Sequence, residues 1–184
     1  MVKNFLYLLA GAAICAGAFL LFGNKPEEVN KSEAIWPSKI VYSSQKTEGY
    51  YFPTHDNLLI MDRAYAEKVE VFIVQIAPGK ATHRHVHPDT EQLYYILSGE
   101  GSTTMQRDGM EEEIYSFKPG DVVHIPRNSY HQTFCDSADS LKYLAVDCFP
   151  DGKNPDEPTW DEHAHAICLQ NGWDYDEARI KKTN

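Results

Sequence analysis

The stretch HVHPDTEQLYYILSGEG, residues 85–101, combines two histidines, a glutamine and a run of strand-forming residues that ends in glycines. His83, His85 and His87 alternate along the chain, so an extended backbone points all three imidazoles to one face. Several unpaired imidazoles are costly to bury together, whereas one divalent cation satisfies them all, because neutral imidazole is the commonest metal ligand. The stretch therefore predicts a β-strand that is also one wall of a metal site.

A second segment with glycine, proline and histidine follows, GDVVHIPRNSYH at residues 120–131. Taken with Gly79, the pair His85 and His87, and Gly99, it resembles the two motifs of the cupin superfamily, as found in single-domain, metal-binding cupins of the type-2 kind. The resemblance implies a double-stranded β-helix, the jelly-roll barrel of that superfamily. It implies no single reaction, since one fold hosts many chemistries.

Two positions depart from the usual pattern of these motifs. Asn128 stands where the superfamily usually has glycine, and asparagine tolerates the positive φ that such a turn requires. Cys135 stands where it usually has asparagine, which removes a hydrogen-bonding group. We therefore expect the turn to be kept and one hydrogen bond of the family to be absent.

The resemblance implies a divalent metal ion (Mn, Fe, Zn or Ni) held by three histidines and one oxygen donor. It carries the ligand roles onto His85, His87 and His131. Counting back from the glycine that ends the strand makes Gln92 the oxygen ligand, whereas counting on from the second histidine allows Glu91 on the opposite face. Because that glycine sets the register, Gln92 is favoured. A neutral amide leaves the metal more positive, and therefore a stronger Lewis acid.

Short runs rich in Val, Ile, Tyr and Phe alternate with turn residues over most of the chain, which predicts an all-β barrel. The predicted strands begin with Lys39–Tyr42 and end with Leu141–Cys148. The predicted organisation is an N-terminal apolar segment, a linker, a cupin barrel and a C-terminal helical extension, at residues 1–23, 24–34, 35–150 and 151–184.

The C-terminal extension carries helix signals. Thr159 and Glu162 have the spacing of a capping box, which predicts a helix from Trp160 to Gln170 with Gly172 as its stop. A second acidic pair with the same spacing predicts a short last helix. The fold class is therefore all-β with a short helical tail.

The N-terminal segment contains 18 uncharged residues, Phe5 to Phe22. As a helix this run would span about 27 Å, close to the hydrocarbon thickness of a bilayer. A cleaved signal peptide is the alternative, although its apolar region normally has only about 7–15 residues. The length favours a single transmembrane anchor, and the position of Lys3 places the rest of the chain outside the cytoplasm. Secretion after cleavage is the alternative location.

The composition limits the partners. Lys and Arg number 17 against 27 Asp and Glu, which gives a formal net charge of −10 without any basic block. Nucleic acid is therefore not an expected partner, and an anionic substrate would need a local cation. Of the four cysteines, Cys15 lies in the apolar run, and the others fit one disulfide or small buried side chains. The resemblance implies a small-molecule ligand and a homodimer.

Other side chains are weaker candidates. Tyr94 shares the face of the predicted oxygen ligand, which makes it the candidate acid or base, although a tyrosine of the β core is the alternative. His83 is either a residue behind the ligands or one at the solvent rim, and Arg127 is either a carboxylate clamp or an exposed turn residue. His163 and His165 diverge by about 200° on the predicted helix and cannot chelate one ion.

Two classes of function follow. Open metal positions would bind a hydroxyl–carbonyl or carboxylate pair, so a metal-dependent isomerase, lyase or ring-opening enzyme of sugars or sugar acids is expected. A ligand-binding or sensing cupin without turnover is the alternative, and an iron dioxygenase is a second one. Metal identity separates them, because iron favours oxygenase chemistry and zinc, manganese or nickel favours proton transfer.

Overall fold

The computed structural model describes residues 39–180, which form two antiparallel β-sheets followed by two short helices. Within these residues the strands are β1 Glu48–Tyr51, β2 Asp56–Met61, β3 Val69–Ile76, β4 Glu91–Ser98, β5 Gly101–Arg107, β6 Glu113–Phe117, β7 Val122–Ile125, β8 Ser129–Cys135 and β9 Leu141–Cys148. The helices are α1 Trp160–Asn171 and α2 Tyr175–Ala178, and a 3-10 turn covers Arg63–Tyr65. One sheet has the strand order β1-β2-β3-β9-β4-β7 and the other β6-β5-β8. The all-β prediction agrees with these two cupin-like sheets.

The core lies on the inner face of the larger sheet, where every second side chain is buried. Phe72 and Val74 of β3 face inward beside their cross-strand partners Ala145 and Tyr143 of β9. Burying one large apolar side chain contributes about 1.5–3 kcal/mol. The same alternation continues to Glu70, so a carboxyl enters the interior at the end of the apolar rows.

Two turns place the strands that carry the site. Gly99 has a φ of 77°, and a Cβ there would lie 2.7 Å from the Cα of Leu141, so only glycine fits where β4 ends. Asn128 has a φ of 59°, as expected for its position in the second motif. Its N–H donates to the carbonyl oxygen of His87 at 2.9 Å, which ties this turn to the histidine segment.

Helix α1 starts at the predicted capping box. The Thr159 side chain accepts from the N–H of Glu162, whose side chain accepts from the N–H of Thr159, and Gly172 caps the end with a φ of 66°. The indole of Trp160 is 2% exposed and packs on Phe72 with 4.5 Å between ring centroids. The helical tail is therefore fastened to the core at its first residue.

The prediction of a transmembrane helix as part of this fold is wrong. No helix within residues 39–180 is long and apolar enough to cross a membrane. Helix α1 has 12 residues and α2 has 4, whereas a spanning helix needs about 20. The run from Phe5 to Phe22 lies outside the described residues. The extracytoplasmic location and the domain boundaries stay predictions.

Two smaller expectations also change. Residues Lys39–Tyr42 do not form a strand, and their apolar side chains Ile40 and Val41 are exposed; the first strand is β1 instead. The three cysteines of the described chain, Cys135, Cys148 and Cys168, are free, and Cys15 lies outside it. The alternative of small, unlinked side chains therefore applies to these three.

Candidate metal centre

Three of the predicted ligands converge. His85 and His87 lie on the segment that precedes β4, and His131 lies on β8. The N–H of His85 donates to the carbonyl of His131 at 3.1 Å, and the N–H of His131 donates back at 2.9 Å. One ligand atom from each histidine lies within 4.8 Å of the others, so one ion can reach all three. The segment pairs with β8 at two isolated bridges, Ala81 with Phe134 and His85 with His131, and the continuous strand begins at Glu91.

Hydrogen bonds select the ring nitrogen that two of the three histidines offer. His85 donates Nδ1–H to the carbonyl oxygen of His83 at 2.8 Å, and His131 does the same to Ser129 at 3.0 Å. Their Nε2 atoms then carry the lone pairs. The Nε2 atoms of His87 and His131 are buried without a hydrogen-bond partner. Orphaned, converging lone pairs of this kind fit a bound divalent cation.

Burial keeps these imidazoles neutral. It lowers the pKa of His85 and of His87 well below the usual value, and the neighbouring His131 lowers both further. Burial also lowers the pKa of His131 to about 4, against a smaller opposing effect of its bond to the Ser129 carbonyl. Neutral imidazole is the form that binds a metal, so the donor set is ready at neutral pH.

The structure places Gln92 on the cavity side of β4 and Glu91 on the outside. Gln92 is 5% exposed, donates from Nε2 to Oδ1 of Asp147 at 2.9 Å and accepts from the Tyr94 hydroxyl at 2.7 Å. Glu91 is 42% exposed and pairs with Nε2 of His124 at 2.5 Å. The register therefore turns the amide, and not the carboxylate, toward the cavity. The ligand role of Gln92 stays a prediction.

A row of buried polar side chains, which includes this amide, crosses three neighbouring strands. Glu70, Asp147 and Gln92 are successive register partners on β3, β9 and β4. The guanidinium of Arg63 donates to both carboxylate oxygens of Glu70, at 2.6 and 2.7 Å. Burial and the adjacent Glu70 raise the pKa of Asp147 well above its usual range. This row was not among the sequence-based expectations, although acidic residues at inward-facing positions of apolar strands are a signal for it.

Tyr94 lies in the interior beside the same amide. It is 3% exposed, and its ring packs against that of Tyr143 with 4.4 Å between centroids and a tilt of 33°. Burial raises the pKa of its hydroxyl well above the usual value, so this group stays protonated and acts as a hydrogen-bond donor to Gln92. Its predicted catalytic role stays a prediction.

The remaining candidates divide between the cavity and the outer surface. His83 stacks on His85 with 4.4 Å between ring centroids, and its Nδ1 is buried without a partner. Arg127 lies outside, paired with Asp151. His163 lines the cavity while His165 does not, which agrees with their predicted divergence on the helix.

The cavity at this site has a volume of about 520 Å³. His85, His87 and Gln92 contribute to its wall from the sheet side, and Trp160 and His163 contribute from helix α1. It is large enough for a small molecule, since ligand sites commonly range over about 300–1,000 Å³. The site is therefore a metal-type donor set at the wall of a small-molecule cavity.

Comparison with known proteins agrees with this geometry. The sequence pattern of one family, described as Cupin domain, matches residues 72–147, which include all four predicted ligands. Glucose-6-phosphate isomerase from Thermococcus gammatolerans is 31% identical over 64 residues, or 35% of this chain and 34% of that protein. Acireductone dioxygenase from Tuber melanosporum is 30% identical over 107 residues, or 53% of this chain and 61% of that protein. The chain thus spans less than two thirds of either relative.

A solved structure shares the fold. The crystal structure of a predicted oxalate decarboxylase from Thermotoga maritima superposes with a TM-score of 0.51 at 19% identity, covering 60% of this chain and 99% of that one. At this identity the likeness concerns the fold alone. Taken with the two motifs and the converging histidines, the comparisons show that residues 72–147 match the Cupin domain pattern and that this part of the chain has the cupin fold.

Proposed function

We propose that this protein is a metal-dependent enzyme that acts on a small oxygen-rich molecule such as a sugar or sugar acid. The proposal rests on one observation: three neutral imidazoles, one buried and two half-buried, bring ligand atoms within 4.8 Å of one another beside a cavity of about 520 Å³. Such a donor set has no evident use as a hydrogen-bonding group, because two of its Nε2 atoms are orphaned.

The ion would be held by His85, His87 and His131, with Gln92 as the proposed oxygen ligand. When bound, it would supply Lewis-acid stabilisation of negative charge on a substrate oxygen. The chain's own residues hold the ligands in position. Backbone pairing of His85 with His131 holds two rings in place, and Asp147 and Tyr94 hold the two ends of the Gln92 amide.

We infer that proton transfer, as in isomerase or lyase reactions, is the reaction type. The relative named glucose-6-phosphate isomerase supports this class. A neutral amide in place of a carboxylate ligand would leave more positive charge on the ion, which favours an anionic oxygen of the substrate.

A dioxygenase is the second candidate, and one observation favours it. The match to the acireductone dioxygenase covers a larger share of both chains than the match to the isomerase does. An iron-loaded site would then be required, and dioxygen would be consumed with the substrate. The homodimer stays a prediction under either candidate.

The test is metal analysis of the purified full chain followed by a substrate screen. Samples stripped and reloaded with Mn²⁺, Fe²⁺, Zn²⁺ or Ni²⁺ are offered glucose 6-phosphate, other sugar phosphates and sugar acids, and dioxygen uptake is followed with an acireductone. We expect one ion per chain, and turnover either of a sugar substrate or of the acireductone with dioxygen. Metal binding with ligand affinity but no turnover would support a non-catalytic binding cupin, and absence of metal binding contradicts the proposal.

A further inference from the structure

Helix α1 brings one histidine to the cavity. Trp160, His163 and Ile167 all line it, and their spacing places them on one side of the helix. The His163 side chain is 18% exposed, and its ring lies 5.3 Å from that of buried Trp160. His165 is exposed and packs instead on Tyr175, with 5.1 Å between centroids. One histidine of the helix therefore belongs to the cavity wall and the other does not.

A carboxylate fixes the orientation of the His163 ring. Nδ1 of His163 lies 2.5 Å from Oε2 of Glu157. This hydrogen bond is the main cause that lowers the pKa of Glu157, so the carboxylate is ionised and can only accept. Nδ1 must then carry a proton, so in the neutral ring the lone pair lies on Nε2. No hydrogen bond from the part of the chain at residues 39–180 engages that Nε2.

The carboxylate is itself held from two sides. Asn154 donates from Nδ2 to Oε1 of Glu157 at 3.1 Å, and a guanidinium nitrogen of Arg63 lies 3.7 Å from Oε2. The same nitrogen of Arg63 donates to the Glu157 backbone carbonyl at 3.4 Å. Glu157 is 19% exposed, so the pair is largely shielded from water. A shielded, pinned carboxylate is a suitable group for orienting an imidazole.

We propose that His163 is the proton-transfer group of this cavity and that Glu157 is its positioning residue. The inference rests on the proposed function, and it names the residue that moves the proton. The lone pairs of the three converging histidines face one another, and the Tyr94 hydroxyl donates to Gln92. His83, whose Nδ1 has no partner, stacks on the predicted ligand His85. His163 lines the same cavity from helix α1, and its neutral ring has a lone pair on Nε2.

The step fits an α-hydroxy carbonyl substrate. Nε2 of His163 accepts the proton from the carbon that bears the hydroxyl; the C–H pair forms a carbon–carbon double bond, and the carbonyl π pair moves to its oxygen. The imidazolium returns the proton to the former carbonyl carbon while the hydroxyl proton passes to the former carbonyl oxygen. The product is an isomer of the substrate, so no oxidant or other reactant is needed.

The test compares His163→Gln with His165→Gln in the full chain loaded with Mn²⁺. The probe is glucose 6-phosphate, or the best substrate of the screen above, in D₂O. Two quantities are measured in addition to turnover: the Mn²⁺ affinity, by calorimetry, and the incorporation of deuterium at the substrate carbon. We expect His163→Gln to lower kcat at least about 100-fold, with KM and Mn²⁺ affinity little changed, because general base catalysis contributes about 10²–10⁴-fold. His165→Gln should match the wild type.

A second pair of variants tests the positioning role. Glu157→Gln keeps an acceptor oxygen for Nδ1–H and should retain the Nδ1–H tautomer of His163 in nitrogen NMR spectra, whereas Glu157→Leu should mix the tautomers and lower kcat. Equal kcat in His163→Gln and His165→Gln, with wild-type turnover present, overturns the inference and leaves the proposed function intact. A wild type that binds none of the four ions, or that turns over no substrate, overturns the proposed function, and the inference with it.

Discussion

The sheet wall and the helix wall of the cavity use histidine in different ways. On the sheet wall, His85 and His131 donate Nδ1–H to backbone carbonyls, and their remaining lone pairs converge with that of His87. On the helix wall, His163 donates Nδ1–H to a carboxylate and is not among the histidines whose ligand atoms lie within 4.8 Å of one another. Crowded lone pairs need a shared cation, whereas a single accessible lone pair can move a proton. The partner and the neighbours of each ring, and not the residue type, separate the two roles.

The largest expected effect concerns the polar row that supports the sheet wall. Arg63→Met leaves the carboxyl of Glu70 buried without its cation, which should cost about 3–5 kcal/mol in the free energy of unfolding. Urea denaturation measures it. In the double variant Arg63→Met/Glu70→Leu most of this loss should be recovered, because no unpaired charge remains. If Arg63→Met is as stable as the wild type, the polar row does not support the sheet wall.

The next effect is loss of the metal. His87→Ala or His131→Ala should weaken divalent-ion affinity at least about 100-fold, and should remove the rise in stability of about 2.7 kcal/mol expected of the wild type at an ion concentration 100 times Kd. Calorimetry and thermal denaturation with and without Mn²⁺ measure both. His124→Ala is the control, since this histidine lies on the outer surface. Full metal occupancy in both cavity variants contradicts the account.

The oxygen ligand should have a smaller effect. Gln92→Ala is expected to weaken metal affinity by about one to two orders of magnitude, and Glu91→Ala to leave it unchanged, because only the amide lies on the cavity side. Metal titration of the two variants side by side measures the difference. If Glu91→Ala strips the metal and Gln92→Ala does not, the register assigned to β4 is wrong by one residue.

The smallest expected effect is confined to the helix wall. Thr159→Ala removes the side chain that caps helix α1 and should cost about 1 kcal/mol of stability. Metal affinity should stay at the wild-type value, since the capping box does not touch the three histidines. A clear loss of metal affinity in this variant would mean that the two walls are not independent.

The sheet wall was largely predictable from sequence. The spacing of His85, His87 and His131 is carried by two local motifs, and the glycine that ends β4 sets which face Gln92 occupies. Strand β3 has the bounds that its alternating pattern predicted. These features depend on local periodicity and turn residues, which a single sequence displays directly.

The helix wall was predictable only as a helix. Its capping box and its terminal glycine are local signals, but the face that it turns to the cavity depends on the packing of Trp160 against Phe72, which lies far away in sequence. The pairing of His163 with Glu157 follows from that packing. Likewise, the contact of Arg63 with Glu70 needs the 3-10 turn to fold back over β3. No periodic pattern in the sequence encodes such contacts.

The most direct test of the central claim is a Zn²⁺ titration of the metal-free full chain, followed through the imidazole nitrogen signals in NMR spectra. The account predicts that one equivalent of Zn²⁺ shifts the Nε2 signals of His85, His87 and His131 together and leaves the signals of His163 in place. Two results would contradict the division of the cavity into a metal wall and a proton-transfer wall. In the first, the Nε2 signals of the three histidines do not respond to Zn²⁺; in the second, the signals of His163 shift together with theirs.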